Sequence, residues 1–257
     1  MVTGGEPLWR GVGVALVTLF DAAGAVDYAA TAAHAARLVD AGVRGVLVAG
    51  TTGEADALDD DERARLVAAV RAVCPQVPVM AGASGPWTGA VVARVSTVVK
   101  AGADAVLVAP PRRCADVAGF YARVAGAAGD TPVLAYHFPG VAGDAVPVPA
   151  LASLPVAGVK DSSGDASRLQ DELTWPGWTY VGAAPLTGYA GLLGATGAIL
   201  AIANCAVEDA LAAFDGDPAA QARLFAAHRA AGAGGFPAGL KGAVAWRYGT
   251  SVAARIG

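Results

Sequence analysis

Eight short, nearly continuous apolar runs alternate with alanine-rich stretches of helical periodicity along this chain, and that alternation limits the possible folds more than any other feature. The runs are Val12–Thr18, Gly45–Ala49, Val77–Gly82, Ala105–Ala109, Thr131–Tyr136, Val156–Lys160, Thr179–Gly182 and Gly197–Ala201. A strand with one wet face alternates apolar and polar residues. Continuous apolar character calls for cover on both faces, as in parallel strands under crossover helices. Between the runs, Tyr28–Ala41 keeps its apolar residues on one face and stops at Gly42. Asp59–Val73 opens with acidic residues, favourable at the positive end of a helix dipole, and stops before Pro75. Gly89–Ala101 is followed by Gly102, and Val117–Ala128 by Gly129. An Ala-Gly junction recurs at Ala41-Gly42 and Ala101-Gly102, a faint internal repeat of one strand–helix unit.

Such alternation builds either a closed barrel or an open doubly wound sheet. Eight strands, with no GxGxxG after the first, favour the barrel. The expected fold class is therefore α/β, a (β/α)8 TIM barrel with a short C-terminal helical extension. Residues 1–206 would hold the barrel strands and most of its helices. Residues 207–257, helical in pattern but broken by Asp215-Gly-Asp-Pro218 and Gly232–Pro237, would hold the last barrel helix and an appendage. The apolar run Gly11–Phe20 behind Arg10 resembles the core of a signal peptide. It is short, however, and Asp21 and Asp27 follow it, so it reads as the first buried strand.

Composition narrows the function. Hydrophobic residues make up 55% of the 257 positions and charged residues 16%, enough for a large core and against disorder. The net charge of -4 comes without any basic block, which argues against nucleic acid as a partner. Cys74, Cys114 and Cys205 lie far apart without CxxC spacing, as reduced cysteines of a cytoplasmic protein do. His34, His137 and His228 fall in unrelated segments, so no metal centre is expected. No run reaches the roughly eighteen apolar residues of a membrane helix.

In a barrel, chemistry gathers at the C-terminal strand ends and in the loops that follow them. Four expected strand ends carry unusual residues: Gly50-Thr-Thr-Gly-Glu54, Tyr136-His-Phe-Pro139, Val159-Lys-Asp-Ser-Ser-Gly-Asp165, and Gly197-Ala-Ile199 with Ala203-Asn204. Lys160 closes an apolar run, which would place its amine in the barrel mouth with little water. Desolvation disfavours the ammonium and lowers the amine pKa, as a Schiff-base nucleophile requires. The competing reading is a lysine paired with Asp161. Tyr136 ends the neighbouring strand, where a phenol can shuttle protons; alternatively it only packs and bonds to backbone. Gly50, Thr51 and Thr52 can gather hydroxyls and amides around a carboxylate, or form an ordinary turn. Together, these are the parts needed to make an enamine from a 2-oxo acid.

These segments resemble the dihydrodipicolinate synthase and N-acetylneuraminate lyase superfamily of class I pyruvate aldolases. Val17-Thr-Leu-Phe-Asp21 with Gly24-x-Val-Asp27 is similar to its opening strand and turn. Gly45–Glu54 is similar to its carboxylate-binding loop, and Tyr136-His-Phe-Pro139 to its Tyr-Asn-x-Pro element. Gly158–Asp165 resembles its Schiff-base strand, and Gly194–Ile199 through Asn204 its strand-8 signature. The resemblance implies Lys160 as the imine lysine and Tyr136 as the proton-transfer tyrosine. It makes Thr51 and Thr52 the carboxylate and relay positions, and Ile199 a backbone contact to the keto acid. It implies no cofactor, a 2-oxo acid and an aldehyde as small-molecule partners, and a homo-oligomer, either dimer or tetramer.

Two departures separate this chain from the family's synthases. Their Pro-Tyr-Tyr element reads Pro110-Pro-Arg-Arg113 here, placing Arg112 at the second tyrosine. The arginine that follows their Tyr-Asn-x-Pro is Val141 here. The leading expectation is a Schiff-base aldolase or lyase on a 2-oxo acid; Arg112 and Arg113 either contact an anionic or hydroxylated acceptor or are simply a solvated loop pair. A synthase or dehydratase using the same lysine is one alternative, and a non-catalytic 2-oxo-acid sensor is another. A phosphate-binding barrel is disfavoured, because Gly182-Ala-Ala-Pro185 offers no glycine-rich phosphate loop after strand 7.

Overall fold

Strands too short to be stable alone must share their ladders, and here they do so in a ring. The computed structural model, which describes residues 5–256, has eight parallel strands that close into a barrel in chain order. They are β1 (Gly11–Ala15), β2 (Val46–Val48), β3 (Val79–Gly82), β4 (Ala105–Val108), β5 (Val133–His137), β6 (Gly158–Asp161), β7 (Trp178–Val181) and β8 (Gly197–Leu200), and β8 pairs back onto β1. Closure removes every sheet edge. The connecting helices are α1 (Tyr28–Asp40), α2 (Asp60–Val73), α3 (Thr88–Lys100), α4 (Val117–Ala128), α5 (Val148–Leu151), α6 (Ala166–Leu173) and α7 (Thr187–Leu192). After β8 come α8 (Val207–Phe214), α9 (Pro218–Ala233) and α10 (Ala238–Tyr248). Of these, α8 packs on β1 and β8, α9 on α8, and α10 on α9.

Strand alternation sorts the core into two layers. Outward side chains such as Val133, Ala135, Val159 and Ala198 pack under the helices. Inward ones, including Leu47, Met80, Leu107, Leu134, Tyr136, Tyr180 and Ile199, fill the barrel. Trp9 plugs the N-terminal end. A Cβ on Gly45 would stand 2.5 Å from the Trp9 ring and one on Gly13 2.7 Å from it, so only glycine admits the plug. The Tyr180 hydroxyl donates to the Trp9 carbonyl at 2.8 Å, which holds the plug in place.

The expected strands are all present, and all but the seventh are shorter; the seventh keeps its length and begins one residue earlier. The first was expected to run to Thr18, yet β1 ends at Ala15: Leu16 N–H still bonds the Leu47 carbonyl at 2.9 Å, but beyond it the donors of Val17 and Leu19 leave the ladder for side chains. Val17 N–H donates to Asn204 Oδ1 (3.1 Å) and Leu19 N–H to Thr31 Oγ1 (3.0 Å). β3 and β5 start two residues later than expected, just after Pro78 and Pro132, which have no N–H to contribute. Asp59 and Glu62 form a reciprocal capping box at the start of α2. Helices α5, α6 and α7 were not anticipated individually. They have only four, eight and six residues, too few for a clear period. Among the described residues no helix is long and apolar enough to cross a membrane.

Candidate active site

The register of β5 against β6 pairs Tyr136 with Lys160, so both side chains enter the barrel mouth at one level. Lys160 is buried, 5% exposed, and its Nζ lies 4.8 Å from the centroid of the Tyr136 ring. Desolvation alone pulls its pKa down to about 7, because the ammonium has lost water without gaining an anion. The neighbouring residue points the other way. Asp161 faces the helices, where Arg168 Nε lies 3.8 Å from it and the Ser163 hydroxyl donates to it at 2.9 Å. Arg168 also pairs with the fully buried Glu172 at 2.7 Å, whose carboxyl burial pushes up to about 8. The alternative pairing of Lys160 with Asp161 is therefore not what the geometry shows: successive strand residues point to opposite faces.

Room for the lysine comes from β7. A Cβ on Gly182 would collide with Ser162 Oγ and stand 2.9 Å from Lys160 Cε. The phenol of Tyr136 is raised by burial, an effect partly offset by hydrogen bonds from Thr51 and Ser162. Thr51 Oγ1 lies 3.4 Å from the Tyr136 hydroxyl, which links the β2 turn to the β5 phenol.

That turn is firmly held. Thr51–Gly53 is one 3-10 turn, flanked by Ala49 (φ 51) and Glu54 (φ 56), two of the three non-glycine residues with positive φ among the described residues. Such backbone is strained for residues with a Cβ and persists only where the surroundings enforce it. Thr18 Oγ1 donates to the Gly53 carbonyl at 2.7 Å. The buried Arg63 guanidinium donates to the carbonyls of Ala49 (3.3 Å) and Gly82 (3.2 Å), and also to that of Ala55.

A cavity of about 540 Å³ opens above these groups. Gly50, Thr51, Tyr136, Arg112, Val141 and Ile256 are among its lining residues. The expected positions thus fall into two sets. Gly50, Thr51, Tyr136 and Arg112 face the cavity, whereas Thr52, Lys160 and Ile199 are buried and are not among its lining residues. Arg112 is exposed, donates to the Gly140 carbonyl at 3.0 Å, and also borders an adjoining hollow of about 360 Å³ shared with Arg113, Arg123 and Trp87. Sequence reasoning missed Ser162, Gly182, Arg63 and Ile256. Ser162 and Gly182 lay within motifs already singled out; nothing local marks Arg63 or Ile256. Among the described residues no group of three or more His, Cys, Asp or Glu is arranged to hold a metal.

Fold and site together define a (β/α)8 barrel with a desolvated lysine and a tyrosine side by side at the C-terminal mouth. The chain belongs to the Dihydrodipicolinate synthetase family, whose sequence model matches residues 8–225. It is 36% identical to an uncharacterized DapA-like lyase of Halobacterium salinarum, over 95% of this chain and 86% of that protein. It is 37% identical to a 4-hydroxy-tetrahydrodipicolinate synthase of Corynebacterium aurimucosum, over 82% of this chain and 74% of that protein. The crystal structure of dihydrodipicolinate synthase from Aquifex aeolicus superposes with a TM-score of 0.84 at 25% identity, covering 96% of this chain and 91% of that one.

Proposed function

We propose that this chain is a class I aldolase or lyase that holds pyruvate, or another 2-oxo acid, as an imine on Lys160. The observation that carries the reading is the buried amine with a pKa of about 7, register-paired with Tyr136, whose phenol lies 3.4 Å from the Thr51 hydroxyl. About half of such an amine is the free base at neutral pH, against well under one part in a hundred for an ordinary lysine.

The Nζ lone pair attacks the keto carbon, and the carbonyl oxygen takes up a proton relayed by Tyr136 and Thr51. A second proton lets that oxygen leave as water as the C=N bond forms. In the cleavage direction, loss of the acceptor hydroxyl's proton breaks the adjacent C–C bond. Its electrons flow into the iminium, giving an aldehyde and an enamine. Protonation of the enamine carbon and hydrolysis return pyruvate and the free lysine. Gly50 and Thr52 bind the carboxylate, the Thr51 hydroxyl serves the relay, and the Ile199 backbone contacts the keto acid. Arg112 faces the acceptor end of the cavity.

Borohydride reduction with pyruvate, followed by peptide mass spectrometry, tests the reading. A reduced adduct on Lys160 is expected; folded protein without an adduct from pH 6 to 9, with pyruvate or other 2-oxo acids, overturns it.

A synthase is the second reading, because several curated relatives bear that name. Arg112 and Val141, standing where the synthases have tyrosine and arginine, favour a different acceptor. Product analysis separates the two: a synthase condenses pyruvate with an amino-aldehyde acid, whereas a lyase releases pyruvate. The assembly expected is a homo-oligomer, dimer or tetramer, and light scattering that returns a monomer mass would refute it.

A further inference from the structure

The segment that follows α10 returns to the cavity at the barrel mouth and is bonded to Glu54, which closes the Thr51–Gly53 turn. Gly249, at φ 69, turns the chain out of α10. Lys241, within α10, is fully buried and pairs with the equally buried Glu54. Its Nζ also donates to the Ala253 carbonyl at 2.6 Å and sits 4.3 Å from the centroid of the Phe20 ring. The other Glu54 oxygen accepts two backbone N–H groups of the returning segment, from Arg255 at 2.7 Å and Ile256 at 2.9 Å. Arg255 then clamps Glu62 with both terminal nitrogens, each at 2.7 Å, and donates to the carbonyls of Gly24 (2.7 Å) and Ala57 (2.8 Å). Ala253 packs beside the cluster of Phe20, Ala49 and Leu58, and Ile256 lines the cavity of about 540 Å³ with Thr51, Ala55 and Asp56.

These bonds converge on one residue. Glu54 closes the Thr51–Gly53 turn in a left-handed conformation that a residue with a Cβ adopts only under constraint. A buried carboxylate keeps its charge only when paired and hydrogen-bonded, and every observed partner of the Glu54 carboxylate comes from α10 or the segment after it. The turn is gripped from below by Thr18 and Arg63 and from above by this strap.

We propose that Thr250–Ile256, locked by Lys241 and Arg255, is a positioning strap. It sets the conformation of the Thr51–Glu54 turn and contributes the Ile256 wall to the substrate cavity. Lys241 acts on Glu54 directly, and the Arg255 side chain, bonded to Glu62, Gly24 and Ala57, anchors the segment whose amides reach Glu54; both are positioning residues. The role in substrate binding rests on the imine reading above; the hold on the turn does not.

The test uses the full chain with Arg255→Ala, which leaves the Lys241–Glu54 pair intact, and Ile256→Pro, which removes one amide donor to Glu54. Arg71→Ala, which breaks an ion pair with Asp104 away from the mouth, is the control. Hydrogen exchange is read at the Gly53, Glu54 and Ala55 amides, which bond within the turn. Borohydride trapping yields the half-saturating pyruvate concentration and the rate at saturation. Both strap variants are expected to speed exchange at the turn and to raise half-saturation, each roughly tenfold or more, with the saturated rate changing by less than about threefold. The Lys160 pH profile stays in place, and Arg255→Lys recovers part of the loss. Wild-type exchange in both variants overturns the proposal, and so does faster exchange with unaltered half-saturation. If wild type forms no adduct while the variants still exchange faster, the imine reading falls and the strap's hold on the turn stands.

Discussion

At the residue scale, the burial of Lys160 carries a cost in stability that depends on pH. Its folded pKa of about 7 lies below its ordinary 10.5, so the unfolded chain binds the extra proton across that interval. Stability therefore rises with pH between these values, and burial of the ammonium costs most at and below pH 7. Lys160→Met is expected to form no adduct and to melt at a higher temperature than wild type at pH 6, an advantage that shrinks toward pH 9. A lower Tm for the variant at pH 6 would mean the amine has a partner after all. By the same titration, the trapping rate at saturating pyruvate is expected to climb through about pH 7 to a plateau, and a rate still rising steeply at pH 9 would contradict the depressed pKa. Tyr136→Phe keeps the ring over the amine but removes the phenol. Its expected effect is a fall of roughly 10²–10⁴ in turnover with folding intact, measured by steady-state kinetics beside circular dichroism. The strand-end positions of Lys160 and Tyr136 were legible in the chain, because each closes an apolar run; their pairing was not, because it depends on the register of β5 against β6. Nor was the direction of Asp161: that depends on which residue of the run faces inward, and a shift of one residue reverses every side chain.

At the element scale, the site depends on close approaches between neighbouring strands and turns. The space beside Lys160 exists because Gly182 has no side chain at the end of β7. Gly182→Ala is expected to lower borohydride trapping strongly while far-UV circular dichroism stays native; trapping at the wild-type rate would show that Ser162 and the lysine stem can shift freely. The Asp59–Glu62 capping box begins α2 on the helix face that also supplies Arg63 to the turn carbonyls. Asp59→Ala is expected to destabilise the protein by about 1 kcal/mol in denaturant unfolding. Apolar runs and helix stops announced most of these elements. Their exact ends escaped, because Asn204 and Thr31, distant in sequence or on another element, take over the backbone donors that would have continued β1.

At the scale of the whole molecule, the chain is closed twice: β8 pairs with β1, and the segment after α10 is tied to Glu54 and Glu62. Removing one partner of a fully buried ion pair leaves the other charge stranded, so Lys241→Met is expected to cost about 3–5 kcal/mol in equilibrium unfolding. A loss below about 1 kcal/mol would mean that the buried pair contributes little to holding the returning segment. The local pattern of the chain alone determined the barrel class, the order of its strands and which strand ends carry the lysine, tyrosine and threonines, because apolar periodicity and strand-end position are short-range properties. Only the tertiary structure decided which of these groups meet, that Lys160 is desolvated without an anion, and that Arg255 and Ile256 bond to Glu54, about two hundred residues earlier in the chain. Those outcomes depend on strand register, on the room left by Gly182 and on a returning segment, and no local pattern encodes a contact across such separations.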